Sequence, residues 1–395
     1  MISLPKLPRQ VVLILVLQFT NSLGASALVP MMSFFIVEGL NSEPWQVGLY
    51  TGLLMPLTLA ANRWAGERLD HGFLVKRLLL ISIFAFITAT ALLTQISNLM
   101  MLILLIAPLM SLSNMGTGTI FTFCRVYSEK NELDVTKINS WLRMTVSLAW
   151  MIGPAASFTL VAQFGFSIAF ATAFGVGLVY LLLGSVVIPR DFRSIRKPKS
   201  NDEDSPINWG LMIAGLICLG FVITNTLFVS AMPLFFVQET GLPGSTPGLS
   251  LSVKCLVEIF VIFGSVYLAE RIGIRQVLLI ASCLAAISMY LFAQVTEVWH
   301  VIAISVLEGT YYGLFAGVSI SFVQSFAPDR PGRATAVYVN SLFLGGMIGS
   351  VSMGFIASAT DFKTVLYVAA CSSIAALVVV LATLRVQPAA VEERA

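Results

Sequence analysis

Apolar runs of about 20 residues recur from one end of the chain to the other, separated by short polar stretches. A run of that length spans roughly 30 Å of hydrocarbon as a helix. In lipid only helices or closed barrels satisfy the backbone, and unbroken runs lack a barrel strand's alternation. The pattern therefore predicts an all-α membrane protein with twelve transmembrane helices, at residues 11–37, 47–64, 78–97, 99–124, 140–163, 166–188, 209–238, 248–269, 276–294, 298–324, 334–358 and 363–384. The longest polar stretch runs from Arg190 to Asn208 and holds Arg193, Arg196, Lys197, Pro198, Lys199, Asp202, Glu203, Asp204 and Pro206. Its charge and prolines suit a flexible linker. The domains are then 1–189, a linker at 190–208, and 209–395.

Charges interrupt this pattern rarely. Only 11% of residues are charged and 57% are hydrophobic, against roughly 25% charged in a soluble domain. Inside the eighth run, Leu249 to Leu268, stand Lys254 and Glu258. Residues four apart share a helix face, so the two are placed to touch. A charge at the bilayer centre costs roughly 2.5–3.5 kcal/mol on insertion scales, so both must face protein or a wet cavity. Glu258 lies 13 residues before Arg271, about 20 Å along a helix axis and close to mid-membrane. Glu308, in the tenth run and followed by Tyr311 and Tyr312, is the other acid placed deep in a span. Burial and a nearby cation pull a carboxyl's titration in opposite directions, as a proton carrier requires. Lys254, Glu258 and Glu308 are the candidate proton-coupling residues. The plainer readings are a permanent ion pair for Lys254 and Glu258, and a protonated acid bonded to a neighbouring helix for Glu308.

The runs also repeat. Thr20-Asn21-Ser22-Leu23, then Pro30, Phe34, Phe35, Gly39 and Leu40, recurs about 203 residues later as Thr224-Asn225-Thr226-Leu227, Pro233, Phe235, Phe236, Gly241 and Leu242. The loop Ala65–Gly72 has a partner in Leu268–Gly273. Two six-helix pseudo-repeats in the same orientation follow, the layout of a major facilitator fold, with substrate near the midplane between halves. With the N-terminus inside, 20 of the 23 Lys and Arg fall on the cytoplasmic side, Lys363 alone falls opposite, and Arg143 and Lys254 lie within spans. That asymmetry predicts both termini cytoplasmic. Lys6 and Arg9 before an apolar run, with Ala25-Ser26-Ala27 after, imitate a signal peptide, but the run continues to Val37 and is read as the first helix.

Uncharged polar residues sit at matched depths. Gln18 and Asn21 lie in the first helix and Asn225 and Thr226 in the seventh. Amides donate and accept, which suits sugar hydroxyls; they are equally ordinary glue between helices. Arg143, about one turn inside the fifth helix, either snorkels to the boundary or serves as a cavity cation. Trp150, Tyr311 and Tyr312 either stack on a sugar face or pack. Gly153-Pro154 is expected to bend or open its helix. The five cysteines stand singly, and His71 and His300 are far apart, so no metal site is expected.

The string Leu142–Pro154, Asn225-Thr226-Leu227 with Met232-Pro233-Leu234-Phe235, and the Glu258 helix together resemble the sugar efflux transporter family of the major facilitator superfamily. The resemblance runs over nearly the whole chain. It implies a bacterial inner-membrane exporter of small sugars or glycosides driven by protons, with Arg143 and Glu258 at charged positions of that family. It further implies a monomer in the lipid bilayer, with no cofactor, no nucleic-acid partner and no enzymatic activity. Two features depart from the pattern. The loop after the second helix reads Asp70-His71-Gly72-Phe73-Leu74-Val75-Lys76-Arg77 in place of the superfamily's more basic run, and Lys254 is unexpected beside Glu258. A multidrug exporter of the same fold is the rival reading. An integral membrane enzyme is disfavoured, for no metal-ligand set, nucleophile motif or phosphate loop stands out.

Overall fold

The computed structural model describes residues 8–133, 135–193, 208–327 and 331–383. Most of the expected linker, residues 194–207, lies outside them. Twelve helical segments follow in order: α1 Arg9–Gly39, α2 Trp45–Asp70, α3 Val75–Leu93, α4 Leu99–Lys130, α5 Val135–Phe164, α6 Phe166–Val187, α7 Trp209–Glu239, α8 Thr246–Ile272, α9 Ile274–Phe292, α10 Val298–Gln324, α11 Pro331–Ala359 and α12 Phe362–Ala382. All except α2 are long and apolar enough, over the described residues, to cross a membrane. In α2 the run is diluted by Gln46, Thr51, Thr58 and Asn62.

Several helices overrun the apolar stretches that predict them. The overruns are charged and held by pairs one turn apart, Arg63 Nε to Glu67 Oε1 at 3.0 Å in α2 and Arg125 Nε to Glu129 Oε1 at 2.8 Å in α4. Such exposed i,i+4 pairs stabilise a helix by about 0.3–0.5 kcal/mol each, so apolar length understates helix length at the polar ends. Pro154 does not end α5, which stays helical through Phe164 although the proline has no N–H to donate to Trp150 O.

The repeat read from sequence reappears in backbone detail. α1 and α7 each end in a π-helical turn, Phe35–Gly39 and Phe235–Glu239. In each, the residue after the turn donates back to its first carbonyl, Leu40 N to Phe35 O at 3.0 Å and Thr240 N to Phe235 O at 3.1 Å. π turns are rare; of the three among the described residues, the third, Leu102–Ile106 in α4, has no counterpart in α10, but these two fall at matched positions of the repeat. Packing repeats too, since α3 lies on α6 as α9 lies on α12.

The chain divides into two compact units. The first holds α1 up to Met31 and runs from Leu53 through α6; the second holds Met32–Gly52 and the helices from α7 onward. In the first unit, the start of the linker is pinned to the loop after α2. Val75 N donates to Phe192 O at 3.1 Å and Arg193 Nη1 to Gly72 O at 3.0 Å. In the second unit, Trp45 N donates to Ser358 Oγ at 2.7 Å, and a Cβ on Gly354 would fall 2.8 Å from Pro44 O. That close approach of α2 to α11 is why residues 32–52 belong with the second unit.

α12 starts on a side-chain cap. Asp361 accepts from Thr364 N at 2.6 Å, and Glu239 at the end of α7 accepts from Phe362 N at 2.6 Å and Lys363 N at 3.1 Å. Two carboxylates at a helix N-terminus satisfy donors the helix itself leaves open. Hydrogen bonds from Thr364 hold the Asp361 carboxyl below the usual carboxylate range. A depressed folded-state pKa gives stability that is present above the unfolded value and is lost as pH falls through the folded one. Asp361→Ala is therefore expected to cost about 1 kcal/mol at neutral pH. The difference from the parent should vanish in the acid range, which thermal unfolding in detergent over a pH series would show; a pH-independent difference would remove the cap from the explanation.

Candidate functional site

The charged residues buried in the second unit come together because α10 lies directly against α8. Gly309, Gly313 and Gly317 form a stripe one residue wide along α10. A Cβ on Gly309 would stand 2.5 Å from Lys254 O, and one on Gly313 would stand 3.2 Å from Glu258 O. Small residues at four-residue spacing let helix backbones approach in this way. Glu308, next to the first of these glycines, is thereby delivered to the level of Lys254.

Lys254 pairs with Glu308. Nζ lies 2.8 Å from Glu308 Oε1, with Lys254 4% and Glu308 0% exposed. The same Nζ donates to Asn225 Oδ1 on α7 at 2.5 Å and sits 4.6 Å above the Tyr312 ring. An ammonium has three protons, and here it meets a carboxylate, an amide oxygen and an aromatic face. The pairing expected within α8 is thus not the one formed. The reason is burial: Lys254 points into the α7–α8–α10 packing, where the apolar surroundings demand a close counter-charge. Glu258, one turn further along α8, is half-buried and makes no ion pair or hydrogen bond among the described residues. Glu308 Oε2 and the Tyr311 hydroxyl, also on α10, are buried without a hydrogen-bond partner among the described residues.

The other candidates fall into place around these. Asn225 is half-buried, and its amide nitrogen has no partner among the described residues. Thr226 is packed against α11, its methyl 3.1 Å from where a Cβ on Gly349 would be. Tyr311 is sealed, 0% exposed, while Tyr312 is half-buried and covers Lys254. Asn225, Lys254, Glu258, Glu308, Tyr311 and Tyr312 thus cluster within one unit.

In the first unit Gln18 is fully buried and donates to Ser22 Oγ at 2.9 Å, its own oxygen having no partner among the described residues. Asn21 is half-buried and donates to Thr117 Oγ1 on α4 at 2.8 Å. Its oxygen, the Ser82 hydroxyl and the Tyr180 hydroxyl all crowd Gly116, at 3.0, 2.6 and 2.7 Å from where a Cβ would stand. Arg143 is exposed, and its guanidinium has no ion-pair partner among the described residues. Trp150 is half-buried on α5, about two turns beyond Arg143. Where α5 crosses α1, Ser26 Oγ donates to Ala149 O at 2.9 Å. Sequence reasoning missed Thr117 and the α10 glycine stripe; the four-residue glycine spacing was a readable signal for the second. Among the described residues no group of three or more His, Cys, Asp or Glu is placed to hold a metal.

The chain matches the Major Facilitator Superfamily over residues 14–224 and 212–395. It is 24% identical over 362 residues to sugar efflux transporter A of Escherichia coli strain K12, covering 91% of this chain and 92% of that one. It is 23% identical over 384 residues to sugar efflux transporter B of Salmonella typhimurium strain LT2, covering 94% and 93%. Among solved structures, the crystal structure of the nucleoside transporter NupG superposes with a TM-score of 0.80 at 14% identity, covering 95% of this chain and 99% of that one; at that identity the likeness concerns the fold alone.

Proposed function

The chain belongs to the major facilitator superfamily, and from that premise we propose that it exports small sugars or glycosides across the bacterial inner membrane in exchange for protons. Relatives named sugar efflux transporters match nearly the whole chain, which supports the sugar. The observation that carries the proton is the arrangement on α8. Lys254 contacts Glu308, which leaves Glu258, half-buried one turn along α8, with no ion pair of its own among the described residues. An intramembrane acid with partial access and no fixed partner is the group free to gain and lose a proton.

In this reading the two six-helix halves, 1–189 and 209–395, alternate access to a central site, with both termini cytoplasmic as the basic loops require. Glu258 takes a proton from outside and releases it inside, while the Lys254–Glu308 pair provides a fixed neutral neighbour. Asn21, Asn225 and Arg143 meet substrate hydroxyls, and Trp150 and Tyr312 offer aromatic faces. Gln18, Thr226 and Tyr311 support the walls. The protein works as a monomer.

The test is transport by the purified protein in proteoliposomes with labelled lactose, glucose and an alkyl glucoside. An imposed pH gradient should drive sugar movement against its own gradient, and sugar movement should in turn shift lumenal pH. Sugar flux indifferent to the pH gradient would remove the coupling; pH-driven flux of lipophilic cations with none of sugars would replace the substrate.

A further inference from the structure

Asn225 carries an orientation that the chemistry of its neighbour forces. Its side chain touches Lys254 Nζ at 2.5 Å. An ammonium only donates, so the atom facing it must be the amide oxygen. No choice of amide flip is open here, in contrast to Asn21, whose partner Thr117 has a hydroxyl that can donate or accept. Lys254 is itself immobilised by Glu308 at 2.8 Å and by the Tyr312 ring, so the amide plane has a fixed anchor. What remains for any ligand is the amide NH2. That nitrogen has no partner among the described residues and belongs to a half-buried residue, whereas Lys254 behind it is sealed.

We propose that Asn225 is a donor-only specificity residue, positioned by Lys254, that recognises the acceptor lone pair of a sugar hydroxyl. This rests on the sugar-export reading above and adds to it the sense of one hydrogen bond. It also makes the ion pair a positioning device, because the carboxamide points its donors outward only while Lys254 holds the other end. Asn225→Asp keeps the shape and the Lys254 contact but replaces donors with acceptors.

The sense of the bond is read with paired analogues. A deoxyfluoro sugar retains a weak acceptor at the altered carbon and loses the donor; the deoxy sugar loses both. Competition against labelled glucoside in proteoliposomes, across mono-deoxy and mono-deoxyfluoro glucosides, should reveal one position in the parent protein where the fluoro analogue binds about threefold better than the deoxy one, the worth of a hydrogen bond at the weak end of the usual range. In Asn225→Ala and in Asn225→Asp that difference should disappear, while contrasts at other positions persist. Asn225→Asp serves where Asn225→Ala does not fold. If the parent binds glucosides but shows no such position, or if the contrast survives both substitutions, the donor assignment fails and the sugar reading stands. If the parent binds none of the glucosides, the sugar reading fails and takes this one with it.

Discussion

Glu258→Gln is expected to abolish sugar movement driven by a pH gradient while leaving sugar-for-sugar exchange largely intact. Glutamine matches the protonated acid in shape and neutrality, so the half-buried site on α8 should still fold and bind. It cannot lose a proton, so the carrier no longer resets through a charged form. Two assays on one set of proteoliposomes separate the roles. In the first, an imposed pH gradient should leave the sugar at equal concentrations on both sides. In the second, labelled sugar inside should exchange for unlabelled sugar outside at a rate within a fewfold of the parent, since exchange needs access to alternate but no net proton release. Wild-type pumping by the variant would move coupling away from Glu258 altogether. Loss of exchange together with pumping would make Glu258 a substrate or structural residue instead. The same substitution at Glu308 should not reproduce this split, because Glu308 is 0% exposed and engaged with Lys254.

Much of the fold was legible because the bilayer imposes a length and a hydropathy on every span. The runs located the twelve helices of the described residues, and the repeat that Thr20-Asn21 and Thr224-Asn225 reveal reappears in the π turns at the ends of α1 and α7, which no residue pattern announced. The helix ends were less legible, since the last turns of α2 and α4 lie in charged sequence stitched by Arg63–Glu67 and Arg125–Glu129. The site was legible in membership but not in pairing. Lys254, Glu258, Glu308 and Asn225 stand out in any reading because polar groups are rare at that depth. The rule that residues four apart meet favoured Lys254 with Glu258, and it is a rule for exposed helix surfaces. A buried ammonium seeks the most desolvated partner available, and that partner depends on which helix lies alongside. The choice was written in Gly309, Gly313 and Gly317, whose spacing says that α10 meets another helix closely without saying which.

The pairing that results makes a second, larger prediction. Lys254→Met leaves the Glu308 carboxylate buried with no cation in contact, and Glu308→Gln leaves the ammonium with amide oxygens and a ring but no carboxylate in contact. Removing one partner of a buried pair costs about 3–5 kcal/mol, whereas replacing both by neutral groups of similar volume is often close to neutral. Each single variant should therefore unfold at markedly lower temperature in detergent, and the double variant Lys254→Met with Glu308→Gln should recover most of the loss. Additive effects of the two substitutions would mean that the 2.8 Å contact carries no coupling. Function discriminates further. The double variant retains Glu258, so a pH gradient should still drive its sugar export, but Asn225 loses the anchor that aims its amide, and the KM for sugar should rise more than kcat falls. A folded double variant that binds sugar normally yet no longer responds to the pH gradient would transfer the proton from Glu258 to the Lys254–Glu308 pair. The pair would then be the carrier, and the half-exposed acid beside it only its neighbour.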